Sequence, residues 1–343
     1  MHQFKRNNHY VPELYLKNWS RDGNTIYSYR LLVSTNKVKK WNLKSIKETA
    51  FFTDLYTRYC TDGETDEIEN WLNDEFEMPA KESIVKAISG DPLKPNDWRN
   101  LIRFIAAQYV RTPARLQKTF TRWKLNMPAT VETALKNATD ELENNKNDNN
   151  INPSPALDST LSILNSKVTI NSLGDGTSRI LLETGVNRSM WLWSVKHALT
   201  EIIDVLHDHK WQIIRSDPNI DWITSDDPVI CLNFYDKDNY NFEGGWGQKG
   251  TEIICPISPK LMLYTQVGDK KRKDPILSKE LSASFQKLFG EHAFRFIFAD
   301  HPIESIGSIR KRHISIESFN AEQKEWIEWN DKQKASESSF IKR

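Results

Sequence analysis

The chain has 343 residues, enough for one large domain or two ordinary ones. Its 47 basic and 46 acidic residues leave a net charge of +1, so the whole-molecule field favours neither nucleic acid nor a membrane, and only local patches can. Three cysteines, Cys60, Cys231 and Cys255, form no CxxC pair, which excludes a zinc ribbon or a disulfide framework and fits a reducing compartment.

The segment Asn7-Asn8-His9-Tyr10-Val11-Pro12, with Leu14, Tyr15, Leu16 and Trp19, carries too much apolar surface to remain in water. It is expected to pack inside the fold and to hold His9 there, where an imidazole can serve as proton carrier or metal ligand. Before it, Met1 to Arg6 lack the apolar core of a secretory signal, and stretches such as Phe104 to Ala107 are far short of a membrane span. A cytoplasmic protein with no membrane partner is expected.

Thr25 to Leu32 alternates and is β-rich, with Val38 to Leu43 as its returning partner, and Phe51 to Thr57 is a further strand. Thr65-Asp66-Glu67 then caps a helical run through Ile68, Trp71, Leu72 and Phe76 to Ile88, broken near Pro79. Pro95-Asn96-Asp97 opens another, with Trp98, Leu101, Ile102, Ile105 and Tyr109 as its buried stripe and Thr112-Pro113 as its end or kink. From Lys136 to Thr160 the composition collapses toward Asn, Asp, Glu, Lys and Pro, too polar to order itself. Met190 to Leu206 is helical, and short strands follow from Trp211 to Ala299 before a closing helix at 321–334. The expected class is α+β, a helical N-terminal half packed on a mixed or antiparallel sheet formed mainly by the C-terminal half. The expected divisions are 1–135, an Asn-rich insertion or linker at 136–160, and 161–343, with the outer two able to form one composite domain.

Polar residues with chemical potential cluster in two places. Gln108, Arg111 and Arg115 fall at i, i+3 and i+7, within a stretch from Asp97 to Lys124 rich in Arg and Lys that suits phosphate. Thr224-Ser225-Asp226-Asp227-Pro228 sits between two β-like runs and either points a carboxylate into a cleft or forms a turn bonded to its own backbone. Asp66, Glu69, Glu75 and Glu77 line the first helix, where most carboxylates are expected to be solvated. His207 and His209, at i and i+2, point apart, and Gly244-Gly245-Trp246-Gly247 lacks the ending of a phosphate-binding loop.

Taken together, Asn8-His9-Tyr10-Val11-Pro12 with Tyr15-Leu16 and Trp19, Gln108-x-x-Arg111-Thr112-Pro113, and Ile223-Thr224-Ser225-Asp226-Asp227-Pro228-Val229 resemble domain of unknown function 4238, a bacterial family. Pro256-Ile257-Ser258-Pro259 extends the likeness, and Glu75 is matched to the family's acidic position. The resemblance implies that His9, Glu75, Gln108, Arg111, Ser225 and Asp226 form one site, in proteins associated with phage defence or toxin-type effectors. The function expected from these residues is phosphodiester hydrolysis of the nuclease kind, on DNA or RNA. In it, His9, Glu75 and Asp226 act as catalytic groups and ligands of a divalent metal such as Mg²⁺ or Mn²⁺, while Gln108, Arg111, Arg115 and Ser225 hold phosphate. The alternative is a binding or sensing module in which the same cluster is a structural polar network.

Overall fold

The opening segment is built into the centre of the protein, as its apolar content requires. In the computed structural model, which describes residues 4–60, 63–144, 166–173, 178–268 and 275–340, Asn7–His9 form a strand paired antiparallel with Phe51–Thr53. Left-handed conformations at Ala50 (φ 54°) and Asp54 (φ 57°) bracket that partner strand, and the Ala50 carbonyl accepts the Tyr10 and Val11 N–H groups. A single helical turn, Glu13–Leu16, then sinks Tyr15, Leu16 and Trp19 into the core.

The main sheets are both antiparallel. One has five strands in the order Gln212–Arg215, Leu261–Gln266, Glu252–Ser258, Ile230–Phe234, Tyr240–Asn241. The other has four, in the order Thr224–Ser225, Phe296–Ala299, Thr25–Arg30, Trp41–Ser45. This second sheet joins the two ends of the chain, with Ile297 registered against Tyr29.

The expected layout of helical N-terminal half and sheet-forming C-terminal half is therefore wrong. Strands of the N-terminal half build half of the four-stranded sheet. Helices are spread along the chain, with Arg188–His197, Lys279–His292 and Ile316–Phe340 in its second half. The reason is that strand partners chosen across more than two hundred residues leave no trace in local periodicity. The protein is mixed α/β with several small sheets.

The helical run after residue 66 is Glu67–Leu72, a π stretch Asn73–Glu77, and Met78–Ser89. Pro95–Val110 follows and stops before Thr112-Pro113, where Pro113–Asn144 begins. The expected 136–160 insertion thus starts inside a helix, and residues 145–160 lie outside the described residues. Among the described residues, no helix is long and apolar enough to cross a membrane.

The three sequence landmarks meet in this frame. The buried Tyr15 hydroxyl lies 2.7 Å from the Thr224 hydroxyl and donates to the Pro256 carbonyl at 2.6 Å. Trp19 Nε1 donates to the Trp222 carbonyl at 2.8 Å, and the Thr112 hydroxyl donates to Asp227 Oδ1 at 2.9 Å. Tyr15→Phe leaves a buried carbonyl and hydroxyl short of a partner, and is expected to cost about 1–3 kcal/mol in urea denaturation. A cost below about 0.5 kcal/mol would show that apolar packing alone holds the opening segment to the sheet.

Candidate active site

An open cleft of about 640 Å³ lies between the opening segment and the helical run after residue 66, with His9, Glu13, Glu69 and Glu77 among its lining side chains. Lys5, Lys17 and Lys81, all exposed, stand at its margin.

His9 is held by its backbone in the strand Asn7–His9 and by its ring. Nε2 donates to the Lys47 carbonyl at 3.2 Å, which leaves Nδ1 as the acceptor nitrogen. The ring packs against Phe51, with centroids 5.9 Å apart. Burial lowers its pKa, opposed by the charges of Glu13 and Glu77, so the imidazole is neutral near pH 7.

The carboxylates reach the cleft through the π stretch. Eight residues separate Glu69 from Glu77, and on an uninterrupted α-helix they would stand about 80° apart. One extra residue accommodated in a π turn reduces the offset to about 20°, so both face the cleft that His9 lines. Glu77 is anchored by Arg111, whose Nη1 donates to Glu77 Oε1 at 2.6 Å. Glu69 is partly buried, and burial pushes its carboxyl up to about 7, against the attraction of Arg111 and with the repulsion of Glu77.

Behind the carboxylates lies a buried polar wall. Arg111 is 1% exposed, and its Nη2 donates to Gln108 Oε1 at 3.2 Å, while Gln108 Nε2 donates to the Tyr10 carbonyl at 2.7 Å. The Tyr56 hydroxyl donates to the Arg111 carbonyl at 2.9 Å. Arg111 Nε has no hydrogen-bond partner among the described residues.

Of the residues singled out in the sequence, the structure brings His9, Gln108 and Arg111 into one neighbourhood and places the others elsewhere. Glu75 points to solvent and pairs with Arg103 at 3.3 Å, while Glu77, two positions on, takes the inward place. Asp226 is buried and its two oxygens accept the Phe294 and Arg295 N–H groups at 3.0 and 2.8 Å, fixing the start of the strand Phe296–Ala299. Burial pushes its carboxyl up to about 7, against those two bonds that favour the ionised form. Ser225 Oγ accepts the Asp227 N–H at 3.2 Å, so the local turn is held by the serine hydroxyl, whereas the carboxylates expected to bond their own backbone reach Phe294, Arg295 and Thr112 instead. Arg115 is buried over the Tyr109 ring at 3.9 Å, beside Asp227 and His292. No hydrogen bond or ion pair among the described residues joins Asp226 or Glu75 to His9. Nor is any group of three or more His, Cys, Asp or Glu side chains there arranged to hold a metal ion.

In sequence, Glu69 and Glu77 are indistinguishable from the other carboxylates of the first helix, most of which are expected to be solvated. Their spacing is out of phase on a regular helix, and only the π stretch brings them together. The family model described as Protein of unknown function (DUF4238) matches residues 7–302. No curated protein and no solved structure matches the chain.

Proposed function

The chain belongs to the family Protein of unknown function (DUF4238), and within that family we propose that it hydrolyses phosphodiester bonds, with His9 as general base and Glu69 as general acid. The observation that carries the reading is the pairing, in one open cleft, of a neutral imidazole with a carboxyl whose pKa is raised to about 7. Two titratable groups whose environments push their proton affinities in opposite directions, one imidazole left neutral and one carboxyl left protonated, are the usual makings of acid–base catalysis. Nδ1 of His9 takes a proton from water as its oxygen attacks phosphorus, and Glu69 gives its proton to the leaving oxygen. Glu77, held by the Arg111 guanidinium, orients the pair. The phosphate role passes from Arg111, which is buried and committed to Glu77 and Gln108, to Lys5, Lys17 and Lys81 at the margin.

The rate should follow a bell-shaped pH profile. It falls on the acid side as His9 gains a proton, below its ordinary value, and on the alkaline side near 7 as Glu69 loses one. His9→Ala is expected to lower cleavage of DNA and RNA oligonucleotides by about 10²–10⁴-fold. Its melting temperature should change little, because the ring makes a single hydrogen bond. The assay is run with Mg²⁺, with Mn²⁺ and with EDTA. A variant that cleaves like wild type, or that melts far earlier, defeats the proposal.

The second reading, a binding module without chemistry, is favoured by the complete burial of Arg111 between Glu77 and Gln108. It expects no cleavage under any of these conditions and a steep loss of stability on Arg111→Ala.

A further inference from the structure

A second and larger cavity, an open groove of about 920 Å³, lies between the helices Pro113–Asn144 and Arg188–His197. Its floor includes Trp191, which stacks on Tyr56 at 5.9 Å. Its chemistry is unlike that of the His9 cleft, being aromatic and basic.

Three features of the groove point to one class of ligand. Trp193 is 40% exposed and lies face to face with His197, at 5.0 Å and 9°, so a flat aromatic platform is open to solvent. Leu125 and Ile202, 75% and 42% exposed, extend the apolar surface around it. Arg115, Lys118 and Arg122 fall at i, i+3 and i+7 of the facing helix and line the same groove. Arg115 is 8% exposed and committed to the Tyr109 hydroxyl and ring, the Val229 carbonyl and Asp227, so it backs the groove without reaching into it. Arg122 is exposed, whereas Lys118 is held at 2.7 Å by Glu243 on the rim.

A flat aromatic platform beside a row of cations fits a ligand with a π-face and negative charge. Stacking accepts any base, and the cations follow the backbone. Lys118 and Arg122, four residues apart, set two cations about 6 Å from one another along the helix, more than one phosphate needs, which favours a strand over a mononucleotide. We propose that this groove binds a single-stranded nucleic acid segment, with a base stacked on Trp193 and phosphates at Arg122 and Lys118. The inference goes beyond the hydrolytic reading, because equilibrium binding here needs no cleavage in the His9 cleft.

The test is fluorescence anisotropy with a fluorescein-labelled (dT)₁₀ at about 50 mM salt, on the full chain and on the same chain carrying His9→Ala so that the probe survives. Both should bind equally. Trp193→Ala should weaken binding by about fivefold or more, the loss of one base–aromatic stack. Arg122→Ala should weaken it and lower the slope of log affinity against log salt by about 0.7, one phosphate contact on a single strand. Glu243→Gln should tighten it by freeing Lys118. Binding that is absent in wild type, or unchanged in both Trp193→Ala and Arg122→Ala, overturns the proposal. Equal competition by thymidine monophosphate overturns the strand in favour of a single-nucleotide pocket. Cleavage without groove binding would defeat this inference alone, and groove binding without cleavage would defeat the hydrolytic reading alone.

Discussion

Glu69→Gln is expected to make the protein inactive and, at alkaline pH, more stable. Glu69 ordinarily ionises near 4.3 in an unfolded chain, but burial in the cleft raises its carboxyl to about 7. The folded state therefore holds the proton more tightly than the unfolded state between these values. As pH rises from about 4 to 7 the unfolded chain ionises freely while the folded one must ionise a partly buried group. Stability is lost across that window and stays lost above it. Glutamine keeps the shape and never ionises, so wild type and variant should be equally stable near pH 4. At pH 8 the variant should be ahead by about 1–3 kcal/mol, the differential cost of ionising a group that still meets some solvent. Urea titrations at the two pH values measure this. Activity should fall by about 10²–10⁴-fold because Gln cannot donate the proton. Stability conceded at one position for the sake of reactivity is the mark of a functional carboxyl. If the two proteins are equally stable at pH 8 and equally active, Glu69 is an ordinary rim charge.

How far the sequence could be read depended on the range of the interactions involved. The burial of Tyr10, Val11, Leu16 and Trp19 was legible from composition alone, because that much apolar surface must leave water, although Leu14 of the same segment is only partly buried. The break at Thr112-Pro113 was legible because proline acts on its neighbours. Gln108 and Arg111 were paired correctly by helical spacing, since three residues along a helix is a contact distance. Glu75, matched to the family's acidic position, pairs with Arg103 in solvent, and Glu77 takes the inward place because a π turn shifts the helical phase, a shift that the sequence does not announce. Asp226 was misplaced for a different reason. A buried carboxylate that accepts two backbone N–H groups from the segment before Phe296 looks, in sequence, like a catalytic one. The sheet layout was beyond reach because the alternation of Thr25–Arg30 reveals a strand without revealing Phe296–Ala299 as its partner.

Arg188→Ala is expected to cost about 3–5 kcal/mol, although neither it nor its partner touches the cleft. Arg188 Nε and Nη2 donate to the two oxygens of Glu337 at 3.0 and 2.7 Å, and the side chains are 3% and 1% exposed. Ser189 Oγ adds a third bond to Glu337, and Arg188 Nη1 donates to the Asp54 carbonyl at 2.8 Å. Deleting the guanidinium strands a carboxylate in a place with almost no water, a larger penalty than the loss of the pair itself. Replacing both residues by Met should recover most of the loss, since the pair's attraction is largely offset by its desolvation. The consequence reaches His9 through packing. Glu337 belongs to the helix Ile316–Phe340, which lies past the matched family region and sets Trp326 and Trp329 against Phe52, at 4.2 and 5.3 Å. Asn330 of that helix donates to the Thr53 carbonyl at 2.9 Å, and the strand Phe51–Thr53 pairs with Asn7–His9. Loosening the helix therefore loosens the strand that seats the imidazole. Under proteolysis, Arg188→Ala should be cut first within the last helix, and cleavage activity should decline in step with that cut. If Arg188→Ala costs less than about 1 kcal/mol, or activity survives removal of the helix, the His9 strand is held by the opening segment alone.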